Sequence, residues 1–106
     1  MIEIPAAIER FVEATNEGDS DVFVSAFTSD AYLEDWGREF HGHDGVRSWD
    51  ASDNIGKHSH FNVVSTRRDG DDWIVTVDVS GGGFTGRSDL RFTLEGELIA
   101  RMVIAP

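Results

Sequence analysis

The chain has 106 residues and no cysteine, which sets the scale of one compact domain spanning 1–106 and excludes a separate cofactor lobe, thiol nucleophiles, thiolate zinc sites and iron–sulfur clusters. Twenty acidic residues against nine basic ones give a formal charge of −11, the reverse of the basic footprint that nucleic acid or an anionic membrane surface requires. The charge is lopsided: residues 1–53 hold 13 acids and 3 bases, and residues 54–106 hold 7 and 6. Most of it is therefore expected to solvate the outside of the first half. No stretch reaches the ~18 apolar residues of a membrane span, and the Met1–Pro5 start lacks the features of a signal peptide. A cytoplasmic protein is expected.

Ile4, Ile8, Phe11, Val12 and Thr15 recur at helical spacing, so an amphipathic helix is expected from about Pro5 to Gly18. Ser20 or Asp19 caps a second short helix with Val22, Phe23, Ala26 and Phe27 inward. Residues 30–36 read as a strand, and Gly37 and Gly42 bound a turn region. A third helix starts at His43 or Asp44 and turns Val46 and Trp49 inward.

The period then changes from 3.6 to 2. Lys57–Arg67 and Trp73–Ser80 flank Asp69-Gly70-Asp71 as a hairpin, with Trp73, Val75, Val77 and Val79 on one face. The Gly81-Gly82-Gly83 run is a bend or bulge, after which Phe84, Leu90, Phe92 and Leu94 share one parity. Glu95-Gly96 then turns into a last strand, Leu98–Ile104. Helices first and an antiparallel meander last define an α+β fold, with helices packed on one face of a curved antiparallel sheet.

No phosphate-cradling or dinucleotide fingerprint is present and no cofactor is expected; the triple glycine joins strands instead of opening a helix. His41 with His43, and His58 with His60, are spaced by two, which on a strand would place each pair on one face as chelation requires. Hydrogen-bonded or surface histidines are the preferred reading, and no metal is expected. Strand alternation sets Asp35 on the face of Ala31 and Leu33 and away from Tyr32, Glu34 and Trp36. A carboxylate on an apolar wall is desolvated, which suits a general base; it is the one acid of the first half with a reason to face inward.

The segment Phe11–Asp19, then Phe27–Asp35, then Gly42 before a helix with Val46 and Trp49, and finally Asp89–Ile99, resembles the SnoaL-like and ketosteroid-isomerase-like branch of the nuclear transport factor 2-like superfamily. The resemblance covers nearly the whole chain. It implies a cone-shaped α+β roll around a mainly apolar pocket, commonly paired into a homodimer through the outer sheet face. Members include isomerases, dehydratases and cyclases as well as pure binding modules.

By the same resemblance Asp35 stands where ketosteroid isomerases carry their aspartate base. Phe11 stands where they carry an oxyanion-hole tyrosine, and Ser88 where they carry a protonated acid. Missing donors cost about 10²–10³ in rate each, so efficient ketosteroid isomerisation is not expected. Ser88, His58, His60 or the Trp49 indole remain as donors. The expected site is then Asp35 as base, with Phe11, Leu33, Trp49, His58, His60, Ser88 and Leu90 around a small apolar carbonyl or hydroxyl compound. A non-catalytic ligand-binding or dimeric association module is the alternative.

Overall fold

The computed structural model describes residues 2–106. Helix α1 (Ala6–Glu17) buries Ala7, Ile8, Phe11, Ala14 and Thr15 on one stripe and ends at Gly18, whose φ of 73° closes the last turn. There the Gly18 N–H donates to the Thr15 carbonyl at 3.1 Å and the Asp19 N–H to that of Ala14 at 2.9 Å. Asp19 also caps α2 (Ser20–Ser25) by accepting from the Val22 N–H. Val22 itself is exposed, and Val24 takes the inward place the spacing had given it. The helix ends at Ser25, so the helical period does not extend to Phe27.

Strand β1 (Phe27–Asp35) starts three residues earlier than expected. It turns at once into β2 (Arg38–His41), a strand the sequence reading had treated as turn. Trp36 and Gly37 take φ of 50° and 86°, the two positive values of a two-residue hairpin loop. A tryptophan in that conformation is uncommon, so the residue pattern alone does not mark the hairpin. Helix α3 (Gly42–Asp53) follows, with Val46, Trp49 and Asp50 buried. A 3-10 turn at Ile55–Lys57 and a left-handed His58 (φ 54°) delay β3 to His60–Asp69. β4 (Asp72–Ser80), β5 (Gly86–Glu95) and β6 (Leu98–Ile104) complete the sheet.

The strand order is β2-β1-β6-β5-β4-β3. Neighbours are antiparallel except β1 and β6, which run parallel. Register shifts break β1 between Phe27 and Tyr32, β3 between Val63 and Ser65, and the β5–β6 pairing between Thr93 and Leu94. Each inserts unpaired residues that bend and twist the strand, and together they curl the sheet around the helices. On the concave side Trp73, Val75, Val77, Leu90, Phe92 and Met102 are buried against the helices. Phe11 is the hub of this core, its ring 5.1–6.1 Å from those of Phe23, Phe27, Phe61 and Phe92. Among the described residues no helix is long and apolar enough to cross a membrane.

The triple glycine is a packing device. A Cβ on Gly81 (φ 134°) would stand 2.5 Å from the His58 carbonyl oxygen, one on Gly82 would stand 3.1 Å from that of Lys57, and one on Gly83 would stand 3.3 Å from the Lys57 Cβ. The Gly82 N–H donates to the Lys57 carbonyl at 2.8 Å. Phe84, beyond this contact, is 55% exposed rather than inward, because β5 begins only at Gly86 and strand parity does not reach back to it. Gly56 is closer still, since a Cβ there would overlap the Ala51 carbonyl oxygen. Gly81→Ala is expected to lower unfolding free energy by about 2 kcal/mol, and Gly56→Ala by at least as much. Urea denaturation giving wild-type midpoints for both would refute the close packing.

Candidate functional site

The last residue of β1 is Asp35, and the two-residue loop sets Arg38 opposite it in register. Helix α3 brings Trp49 and Asp53, one turn apart, to the same place. The Asp35 side chain is 15% exposed. Its Oδ2 accepts from the Trp49 Nε1–H at 2.9 Å and from Arg38 Nη2 at 2.8 Å. Arg38 also donates from both terminal nitrogens to the Asp53 carboxylate, and the Ser52 hydroxyl donates to Asp53 at 2.6 Å. Charge-assisted bonds of this kind are the stronger ones, about 2 kcal/mol each when shielded. Asp35 Oδ1 has no protein donor among the described residues. Asp35 thus faces inward as alternation predicted. The wall around it is not bare, however: one oxygen is held by an indole and a guanidinium, and the other has no such donor among the described residues.

These groups line a cleft of about 950 Å³. Trp49, Phe61, Val79, Leu90 and Ile104 give it an apolar interior, and the exposed rings of Trp36 and Phe84 stand at its edge. Of the residues expected at the site, Asp35, Trp49, Ser88 and Leu90 are brought together here. Phe11 and Leu33 are fully buried in the core and do not line the cleft. His58 and His60 are exposed and lie outside it. His58 sits at the left-handed turn, and alternation along β3 sends Phe61 inward and His60 outward.

The other histidine pair does not share a strand either. His41 ends β2 with its ring 5.4 Å from that of Tyr32, whereas His43 lies in α3 with Nε2 2.9 Å from the Phe27 carbonyl. Among the described residues no group of three His, Cys, Asp or Glu side chains is placed to hold a metal ion. Tyr32, on the opposite sheet face, donates to Glu34 at 2.6 Å. That bond, with desolvation and the Glu34 charge, pushes its pKa up to about 12.

Sequence reasoning missed Arg38, Asp53 and Lys57, all of which line the cleft. A signal for Arg38 was present: in Asp35-Trp36-Gly37-Arg38 a glycine at the second loop position places two opposite charges across a hairpin. It also missed Asp50, 1% exposed, which accepts from the Ser20 hydroxyl at 2.7 Å and the Asn54 amide at 3.1 Å.

A family model described as SnoaL-like domain matches residues 8–102. No curated protein sequence matches significantly. Among solved structures, a candidate polyketide cyclase from Sinorhizobium meliloti superposes with a TM-score of 0.83 at 27% identity, over 95% of this chain and 94% of that one. A Catenulispora acidiphila protein with a ketosteroid isomerase-like fold, solved with trimethylamine, gives 0.82 at 16% identity over 98% and 87%. The orange carotenoid protein of Anabaena, binding canthaxanthin, gives 0.81 at 19% identity over 99% of this chain and 38% of that one. The cone-shaped, cystatin-like and nuclear transport factor 2-like α+β roll is thus the fold of this chain.

Burial pushes the Asp53 carboxyl up, but hydrogen bonds from Arg38 and Ser52 and the Arg38 charge outweigh it, and the net shift is downward from 3.8. A carboxyl lowered in the folded state contributes stability that is whole above its unfolded value and is lost as pH falls through the folded one. Acid unfolding below pH 3.8 is therefore expected to be shallower in Asp53→Asn than in wild type. Superimposable acid limbs in circular dichroism titrations would contradict the pairing.

Proposed function

The chain belongs to the SnoaL-like domain family, and from that premise we propose that the cleft takes a small apolar carbonyl or hydroxyl compound, with Asp35 moving its proton in an isomerisation, dehydration or cyclisation. The observation that carries this reading is the asymmetry of the Asp35 carboxylate. Two donors fix Oδ2 and hence the plane of the group, and among the described residues no donor reaches Oδ1. A base so oriented is aimed before substrate arrives. Oδ1 would take a proton from the carbon next to a carbonyl, and the electron pair would move to the carbonyl oxygen. The proton would return at a second carbon for isomerisation or leave with a hydroxyl as water for dehydration.

The developing oxygen charge needs a donor. The Trp49 N–H is committed to Asp35, Phe11 lies in the core, and both histidines lie outside the cleft. Of the donors named from the sequence, Ser88 lines the cleft without another partner among the described residues. A neutral hydroxyl is a weak oxyanion donor, which supports slow turnover or a reactive substrate. The alternative, a non-catalytic binding module, is favoured because none of the other donors named from the sequence is free in the cleft.

An activated probe separates the two readings without knowledge of the natural substrate. Proton abstraction from 5-nitrobenzisoxazole, followed by absorbance, is expected to be catalysed by wild type and slowed about 10²-fold in Asp35→Asn. Equal rates in the two proteins would leave the binding module.

We also propose a homodimer through the outer sheet face, where β6 alternation sets half-buried Leu98 and Val103 outward. Sedimentation at micromolar concentration is expected to give about twice the chain mass of 11.7 kDa, and a mass near 11.7 kDa would contradict it.

A further inference from the structure

Lys57 is the one lysine in the chain, and it lines the cleft. Among the described residues six charged ones do so: Asp35, Arg38, Asp53, Lys57, Arg87 and Asp89. Five are in ion pairs. Arg38 bridges Asp35 and Asp53, Arg87 is bidentate on Asp78 at 2.8 and 3.2 Å, and Asp89 is 3.5 Å from Arg67. Lys57 has no carboxylate within ion-pair distance among the described residues, in a protein with 20 acids. Asp53, four positions earlier and its nearest acid in sequence, is committed to Arg38.

The backbone of Lys57 is held while its head is unclaimed. Its carbonyl accepts from the Gly82 N–H, and its Cβ and Cγ pass so near Gly83 that an added Cβ there would meet them at 3.3 and 3.4 Å. The glycine run therefore fixes where the side chain of Lys57, the uncommitted cation of the cleft among the described residues, starts. A single ammonium is a compact point charge suited to a monoanion, whereas a phosphate dianion calls for several donors, and both cleft arginines are already engaged. The overall charge of −11 acts against anions at long range but is damped beyond about 8 Å at physiological ionic strength. The six cleft charges cancel formally.

We propose that the compound held in the cleft carries a carboxylate and that Lys57 binds it, the rest of the ligand lying along the apolar interior. This rests on the reading of the cleft as a small-molecule site. The test compares 2-naphthoate with its neutral counterpart 2-naphthylmethanol by isothermal titration calorimetry at pH 7.5 and low salt. Wild type is expected to bind the carboxylate about fivefold tighter or more. Lys57→Met is expected to bring the two affinities together while leaving that for 2-naphthylmethanol unchanged, and Lys57→Arg to keep the preference. Equal affinities in wild type, or a preference that survives in Lys57→Met, would overturn the carboxylate assignment and leave the cleft as a neutral-ligand site. Binding of neither probe at millimolar concentration would overturn both.

Discussion

The site depends on how helix α3 is rotated about its axis, and that rotation is set by a buried carboxylate, Asp50, with no cation within ion-pair distance among the described residues. Asp50 accepts from the Ser20 hydroxyl of α2 and from Asn54, and the Asn54 amide also donates to the Thr15 hydroxyl of α1 at 3.0 Å. Removing Ser20 would leave one buried Asp50 oxygen without a protein donor, at a cost of several kcal/mol, so the helix has little freedom to roll. Trp49 is adjacent to Asp50 in sequence and Asp53 is three residues on. Once Asp50 is locked toward α1 and α2, the neighbouring face of α3 carries Trp49 to Asp35 and Asp53 to Arg38. The orientation of the proposed base is thus inherited from a hydrogen-bond cluster on another face of the same helix.

Curvature supplies the rest. A flat sheet would press its apolar face against the helices along its whole length and leave no hollow. Unpaired residues in β1, β3 and the β5–β6 pairing bend it, so that Phe11, Phe23, Phe27 and Phe92 fill one part of the hollow and the cleft opens beside them, with Phe61 touching both. This divides the expected pocket residues. Leu33 and Phe11 went to the filled end, whereas Leu90, Ser88 and Trp49 reached the open one. Parity assigns a side chain to a face of the sheet and says nothing about position along the bend.

What was legible followed from periodicity. Helix α1 with its Gly18 stop, β4 with its alternating Trp73 to Val79, and β6 over Leu98–Ile104 stand where spacing put them. What was hidden lay in backbone conformations that side-chain pattern does not encode. β2 depends on a tryptophan with positive φ, the late start of β3 on a left-handed His58, and the path of the triple glycine on contacts with a turn more than twenty residues away. The histidine pairs failed as chelators for the same reason: spacing by two places side chains on one face only if both residues are in one strand, and each pair straddles an element boundary.

The charge distribution gains a sharper meaning from these placements. The acidic first half was expected to turn one carboxylate inward, but Asp50 is buried, and Asp53 lines the cleft with Asp35. The three are kept apart electrostatically by different means. Asp50 is neutral-donor bonded in the core, and Asp35 and Asp53 share one guanidinium whose own side chain is half exposed. Screening by water limits what that arginine contributes to stability, so its larger effect is positional: it neutralises repulsion between two carboxylates that would otherwise drive Asp35 off the cleft wall. With the arginine consumed in that task, Lys57 is, among the described residues that line the cleft, the cation with no carboxylate within ion-pair distance.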